Sequence, residues 1–60
     1  MTKFIIYFNN GNNLIVKGNE CVIVDSCKTV QIRVGGSFAY KVVAEFYLPN
    51  IVGIVQEEED

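Results

Sequence analysis

Residues 42–55 read VVAEFYLPNIVGIV, fourteen positions with one Glu and one Asn. A strand with one face on a core and one in water should alternate apolar and polar side chains. This stretch is apolar on both parities, so the reading turns on what its second apolar face touches. As a helix, residues 38–48 would have Ser37 as N-cap and Pro49 as stop. Against a helix, the segment is rich in β-branched and aromatic residues, and Phe38, Tyr40, Val42, Ala44, Phe46 and Leu48 fall on one parity over six steps. The spacing predicts a strand, then a turn at Pro49-Asn50, then a last strand.

Similar punctuation divides the rest of the chain. NNGNN at 9–13, KGNE at 17–20, DSCK at 25–28 and GGS at 35–37 join LPN at 48–50 as turn signals. Gly and Asn tolerate positive φ, and Pro presets φ for a turn. The resulting short segments are rich in β-branched residues, with nine Val and seven Ile among sixty residues. They predict an all-β fold: a single small antiparallel meander of five or six strands, curled into a barrel-like or strongly bent sheet.

Turn lengths that pair apolar with apolar set the expected registers. Phe8 meets Leu14 across a five-residue Asn loop. Ile23 meets Val30 and Cys21 meets Ile32 across a Ser26-Cys27 turn. Val34 meets Phe38 and Val30 meets Val42 across Gly35–Gly36–Ser37, and Leu48 meets Ile51 across Pro49-Asn50. The inner face then holds Phe4, Ile6, Phe8, Leu14, Val16, Cys21, Ile23, Val30, Ile32, Val34, Phe38, Tyr40, Val42, Ala44, Phe46, Leu48, Ile51 and Val55. The outer face is also apolar in its first two and last two segments. Its members Ile5, Tyr7, Ile15, Val43, Tyr47, Val52 and Ile54 form the candidate interface, gathered into one patch if the last strand pairs with the first. Monomers rarely expose a contiguous apolar patch beyond a few hundred Å². A sixty-residue domain also buries only about 60% of its unfolded surface, so a second copy is the expected cover.

Chemistry is sparsely represented. The chain has no His and two Cys, Cys21 and Cys27. Two thiols alone cannot complete a tetrahedral zinc site. The meander holds the two cysteines about 17 Å apart, beyond disulfide reach. No His-dependent nucleophile set can form, and the carboxylates Glu20, Asp25 and Glu45 fall apart from one another. No catalytic, cofactor or metal residue is therefore assigned. The GGS stretch lacks the Lys of a phosphate-binding loop and reads as a hairpin turn. The net charge of −2 conceals a body with five basic and three acidic residues and a C-terminal run of Glu57, Glu58, Glu59 and Asp60. The domain is drawn at 1–55, with 56–60 an acidic, disordered tail. The basic excess is too small for a nucleic-acid footprint. No run reaches the ~20 apolar residues of a membrane span, and no secretory leader is visible, so the cytoplasm is the expected compartment.

A short all-β chain with a late VAEFYLPNIVGIV resembles the small β-rich proteins of Gram-positive bacteria and their phages. The resemblance covers the last third of the chain. It implies an interaction protein, of the kind that inhibits a host or defence protein, and it fixes no site residue. The expected function is thus a non-enzymatic, self-associating protein-binding module. A small nucleic-acid-binding barrel and a structural subunit of a larger assembly are the alternatives.

Overall fold

The computed structural model describes residues 1–36 and 38–58. Ser37, in the expected third hairpin loop, and Glu59 and Asp60, in the expected tail, lie outside the described residues. Six strands form in chain order: β1 (Thr2–Phe8), β2 (Asn13–Gly18), β3 (Glu20–Val24), β4 (Thr29–Gly35), β5 (Tyr40–Tyr47) and β6 (Ile51–Glu58). One 3-10 turn, Leu48–Asn50, separates the last two. The 38–48 segment is thus a strand over most of its length, not a helix. Among the described residues no helix is long and apolar enough to cross a membrane.

The strands make two three-stranded antiparallel sheets, not one meander and not a closed barrel. Sheet A runs β2-β1-β6 and sheet B runs β3-β4-β5. The first and last strands do pair, as closure would require. What is missing is any pairing of β2 with β3 or of β5 with β6. At both places the chain changes sheet instead of reversing.

The first crossing is Gly18-Asn19. Gly18 is buried against Ile32 and Arg33 of β4. The Asn19 backbone N–H donates to the Arg33 carbonyl at 2.8 Å, and its side-chain oxygen accepts from the Gly35 N–H at 2.8 Å. Asn19 therefore satisfies backbone groups of β4 that a hairpin partner would otherwise take. The second crossing is the 3-10 turn. The Leu48 N–H donates to the Lys28 carbonyl, in the β3–β4 turn, and the Asn50 carbonyl accepts from the Asn9 N–H, in the β1–β2 turn, both at 2.8 Å. One short element thus ties a hairpin of each sheet.

The registers explain which side chains meet. In β3–β4 the pairs Cys21–Ile32, Ile23–Val30 and Val24–Thr29 form as the sequence predicts. In β1–β2 the loop is tighter than expected. Gly11 takes φ +89°, and Phe8 bonds Asn12 across three residues, a loop length that calls for Gly in the left-handed region. Ile6 consequently meets Leu14, and Phe4 meets Val16. The slip is two residues, so no side chain changes face.

In β4–β5 the loop is longer, with Gly35 opposite Tyr40, and a bulge interrupts the ladder between Ile32 and Arg33. Val30 meets Phe46 and Ile32 meets Ala44. Phe38, Tyr40 and Val42, expected inside, are exposed: the bulge sets Val42 opposite Arg33 and Tyr40 opposite Gly35, on the outer side of β4, and Phe38 precedes β5. Leu14, Ile23 and Val55, also expected inside, are exposed as well.

Among the described residues four apolar side chains are fully buried: Phe4 and Ile6 from the middle strand of sheet A, and Val30 and Ile32 from the middle strand of sheet B. Phe8, Val16, Cys21, Ala44, Phe46, Ile51 and Ile54 pack around Phe4, Ile6 and Ile32. Phe8 of sheet A meets Phe46 of sheet B edge-to-face at 5.5 Å, a favoured aromatic geometry. The two sheets therefore share one core, in a molecule with Cα extents of 33 × 31 × 12 Å.

The domain also extends past Val55. Gln56, Glu57 and Glu58 continue β6 opposite Phe4, Lys3 and Thr2. Lys3 pairs with Glu57 at 3.8 Å, and the Thr2 hydroxyl donates to Glu58. A run that reads as a solvated tail is held as a strand because β1 offers it a cation and a hydroxyl.

Candidate interaction surface

No enclosed pocket exists among the described residues. Among them no three His, Cys, Asp or Glu side chains gather as metal ligands would. Cys21 and Cys27 are both free thiols. Cys21 packs half-buried beside the core, and that burial pushes its thiol pKa up. Cys27 sits exposed in the β3–β4 turn. What remains is the two outer sheet faces, which differ in character.

The outer face of sheet B is occupied by a chain of polar contacts. Glu45 Oε2 accepts from Thr29 Oγ1 at 3.0 Å and from Gln31 Nε2 at 2.9 Å. Gln31 Oε1 accepts from Arg33 Nε at 3.1 Å and Nη2 at 2.8 Å. Arg33 also lies 4.0 Å from Glu20 and stacks over the Tyr40 ring, with Cζ 4.1 Å from its centroid. Residues 29, 31 and 33 lie on one face of β4, and β3 and β5 supply the acids and the ring. Covering this face would require drying a set of groups already satisfied among themselves.

The bonds from Gln31 and Thr29 hold the Glu45 carboxyl below the ordinary carboxylate range. A carboxyl lowered in the folded state contributes stability above the unfolded pKa, and that contribution is lost as pH falls through the folded value. Glu45→Gln should therefore flatten the acid limb of stability. Urea midpoints from about pH 6 down to about pH 2 give the test; an acid limb as steep as wild type would show that Glu45 does not contribute to it.

The outer face of sheet A is different. Ile5 stands directly opposite Ile15 on one side and Val55 on the other, so three β-branched side chains form a row across all three strands. The next row is Tyr7 between Asn13 and Gly53, and the row on the other side is Lys3 between Lys17 and Glu57. Ile15 is 54% exposed, Val55 44% and Tyr7 38%. The apolar row is thus open to water at both edges, with charges along one flank.

The seven residues of the sequence-predicted interface divide accordingly. Ile5, Tyr7 and Ile15 come together on sheet A. Val43 and Tyr47 belong to β5 and flank the polar chain of sheet B. Val52, 69% exposed, is the extra residue where the β1–β6 register shifts between Tyr7 and Phe8. Ile54 is not on the outer face; it sits opposite Ile6 and packs on the core. The register shift exchanges the parities of β6 after Ile51, so Ile54 turns in and Val55 takes its place outside. The signal in the sequence is charge: the β1–β6 register that sets Glu57 beside Lys3 also sets Ile54 opposite Ile6 and Val55 opposite Ile5.

No family model, curated protein or solved structure matches the chain.

Proposed function

We propose that the chain is a non-enzymatic protein-binding module that self-associates through the outer face of sheet A. The observation that carries this reading is the Ile15–Ile5–Val55 row, continuous across three strands with no charge inside it. The thin core supports it. Four fully buried apolar side chains among the described residues leave a sixty-residue chain close to the limit of independent stability, and covering the row adds apolar contacts. The resemblance noted above extends the proposal to a protein partner of the host or defence kind, bound by the same small scaffold. The five cations are scattered: Lys3 and Lys17 on sheet A, Lys28 in a turn, Arg33 inside the polar chain and Lys41 on β5. That scatter does not favour a nucleic-acid partner.

Ile15→Lys sets a charge in the row at a position half open to solvent, so the monomer should keep its fold. Self-association should weaken sharply, because an unpaired charge would have to be buried. Sedimentation equilibrium of wild type and variant measures this. A wild type monomeric at about 1 mM, a concentration at which interactions worth only about 4 kcal/mol are half formed, ends the proposal.

A further inference from the structure

We propose that the partner on sheet A is a second copy related by a two-fold axis running along β1, with Lys17 of each copy over Glu57 of the other. This rests on the self-association just proposed and adds its geometry. The strand order β2-β1-β6 decides what such an axis brings together. Each β1 lies over its own image, and each β2 lies over the β6 of the second copy. Row by row, Ile15 then meets Val55, Ile5 meets Ile5, and Tyr7 meets Tyr7. Asn13 lies over Gly53, where the absence of a side chain leaves room; nothing stands within 4 Å of where a Cβ at Gly53 would be.

In the charged row, Lys17 meets Glu57 twice. The two Lys3 side chains approach each other on the axis, and each has its own Glu57 at 3.8 Å as a counter-charge. A two-fold axis across the strands would instead put Lys3 over Tyr7, Lys17 over Asn13 and Glu57 over Gly53, matching no charges. Charge and shape complementarity therefore favour the axis along β1. Face-packed sheets cross at about 30°, an offset that Lys and Glu side chains span.

The contact is small. Three strands about 4.8 Å apart and three residue rows about 7 Å apart give roughly 300 Å² per copy. That is well below the about 800 Å² per partner of a standard interface. An interface of this size belongs with weak, transient contacts, so the dimer is reversible.

Reciprocal charge swaps test the geometry. In Lys17→Glu alone, or Glu57→Lys alone, both crossed pairs become like-charged, and dimerisation should weaken roughly tenfold. An equimolar mixture of the two variants restores both opposite-charge pairs, so mixed dimers should form with a Kd within about threefold of wild type. Sedimentation equilibrium and amide shifts on dilution of a 15N-labelled chain read both quantities, and far-UV circular dichroism verifies that each variant is folded. A wild-type dimer that neither swap weakens, or a mixture no tighter than its components, overturns this geometry and leaves self-association standing. A monomeric wild type overturns both.

Discussion

Phe4→Ala should leave the chain largely unfolded in buffer at 25 °C. Phe4 is 1% exposed at the centre of the core, on the middle strand of sheet A. Truncating a buried Phe to Ala costs about 3–5 kcal/mol, as lost transfer energy plus the cavity left behind. A domain of this length has roughly 3–9 kcal/mol in total. The core has little with which to collapse around the gap, since only Ile6, Val30 and Ile32 share its full burial among the described residues. Loss of the β signal in far-UV circular dichroism, or a urea midpoint near zero, is the expected result. Val55→Ala is the contrast. It trims a β-branched side chain on the outside of the same sheet, and at concentrations where the monomer dominates it should change stability by no more than about 0.5 kcal/mol. If Phe4→Ala cost under about 1 kcal/mol, the two sheets could not share the core described above.

The same contrast answers what the second apolar face of residues 42–55 touches. Ala44, Phe46, Ile51 and Ile54 pack on the core, while Val42, Val43, Tyr47, Val52 and Val55 are exposed. β5 and β6 are edge strands of different sheets, so each has an inner face on the shared core and an outer face left open. Neither covers the other, as a hairpin within one curled sheet would have allowed.

The β character of the chain and its β3–β4 hairpin are legible in the sequence because short-range rules govern both. Alternation and one tight turn suffice to place Cys21 opposite Ile32. Faces survive in β1–β2 although the register differs, because a tighter Asn–Gly loop shifts pairing by an even number. Two kinds of event are not legible. Gly, Asn and Pro mark places where a chain bends, without saying whether it reverses onto its neighbour or passes to another sheet. Gly18-Asn19 and Leu48–Asn50 both pass, and the partners that decide this, Arg33, Gly35, Lys28 and Asn9, are distant in sequence. The other event is the bulge. A single extra residue, Val52, exchanges Ile54 and Val55, and a second irregularity in β4–β5 carries Tyr40 and Val42 off the core. Of the candidate interface, Ile5, Tyr7 and Ile15 are readable because their strands, β1 and β2, pair without a bulge. Val55 was not readable, because its face depends on one.

Gly18→Ala should be strongly disruptive for a change of one methyl group. A Cβ at Gly18 would stand 2.6 Å from Ile32 Cγ2 and 3.0 Å from the Arg33 carbonyl oxygen. Ile32 is fully buried and shares the core with Phe4 and Ile6, so it has nowhere to retreat. The Arg33 carbonyl is held by its bond from Asn19, the residue that follows. Something must therefore move at the corner where β2 passes onto sheet B, and overpacking of this kind costs about 1–3 kcal/mol. Urea unfolding of Gly18→Ala measures the loss. Gly53→Ala calibrates it: that site has open space around a Cβ, and removing backbone freedom from the unfolded chain should stabilise by about 0.5 kcal/mol. The two substitutions add the same atom to strands of the same sheet, so their difference isolates the crossing. Equal stability in the two variants would mean that β2 does not press on β4 at Gly18, and the change of sheet at Asn19 would lose its physical basis.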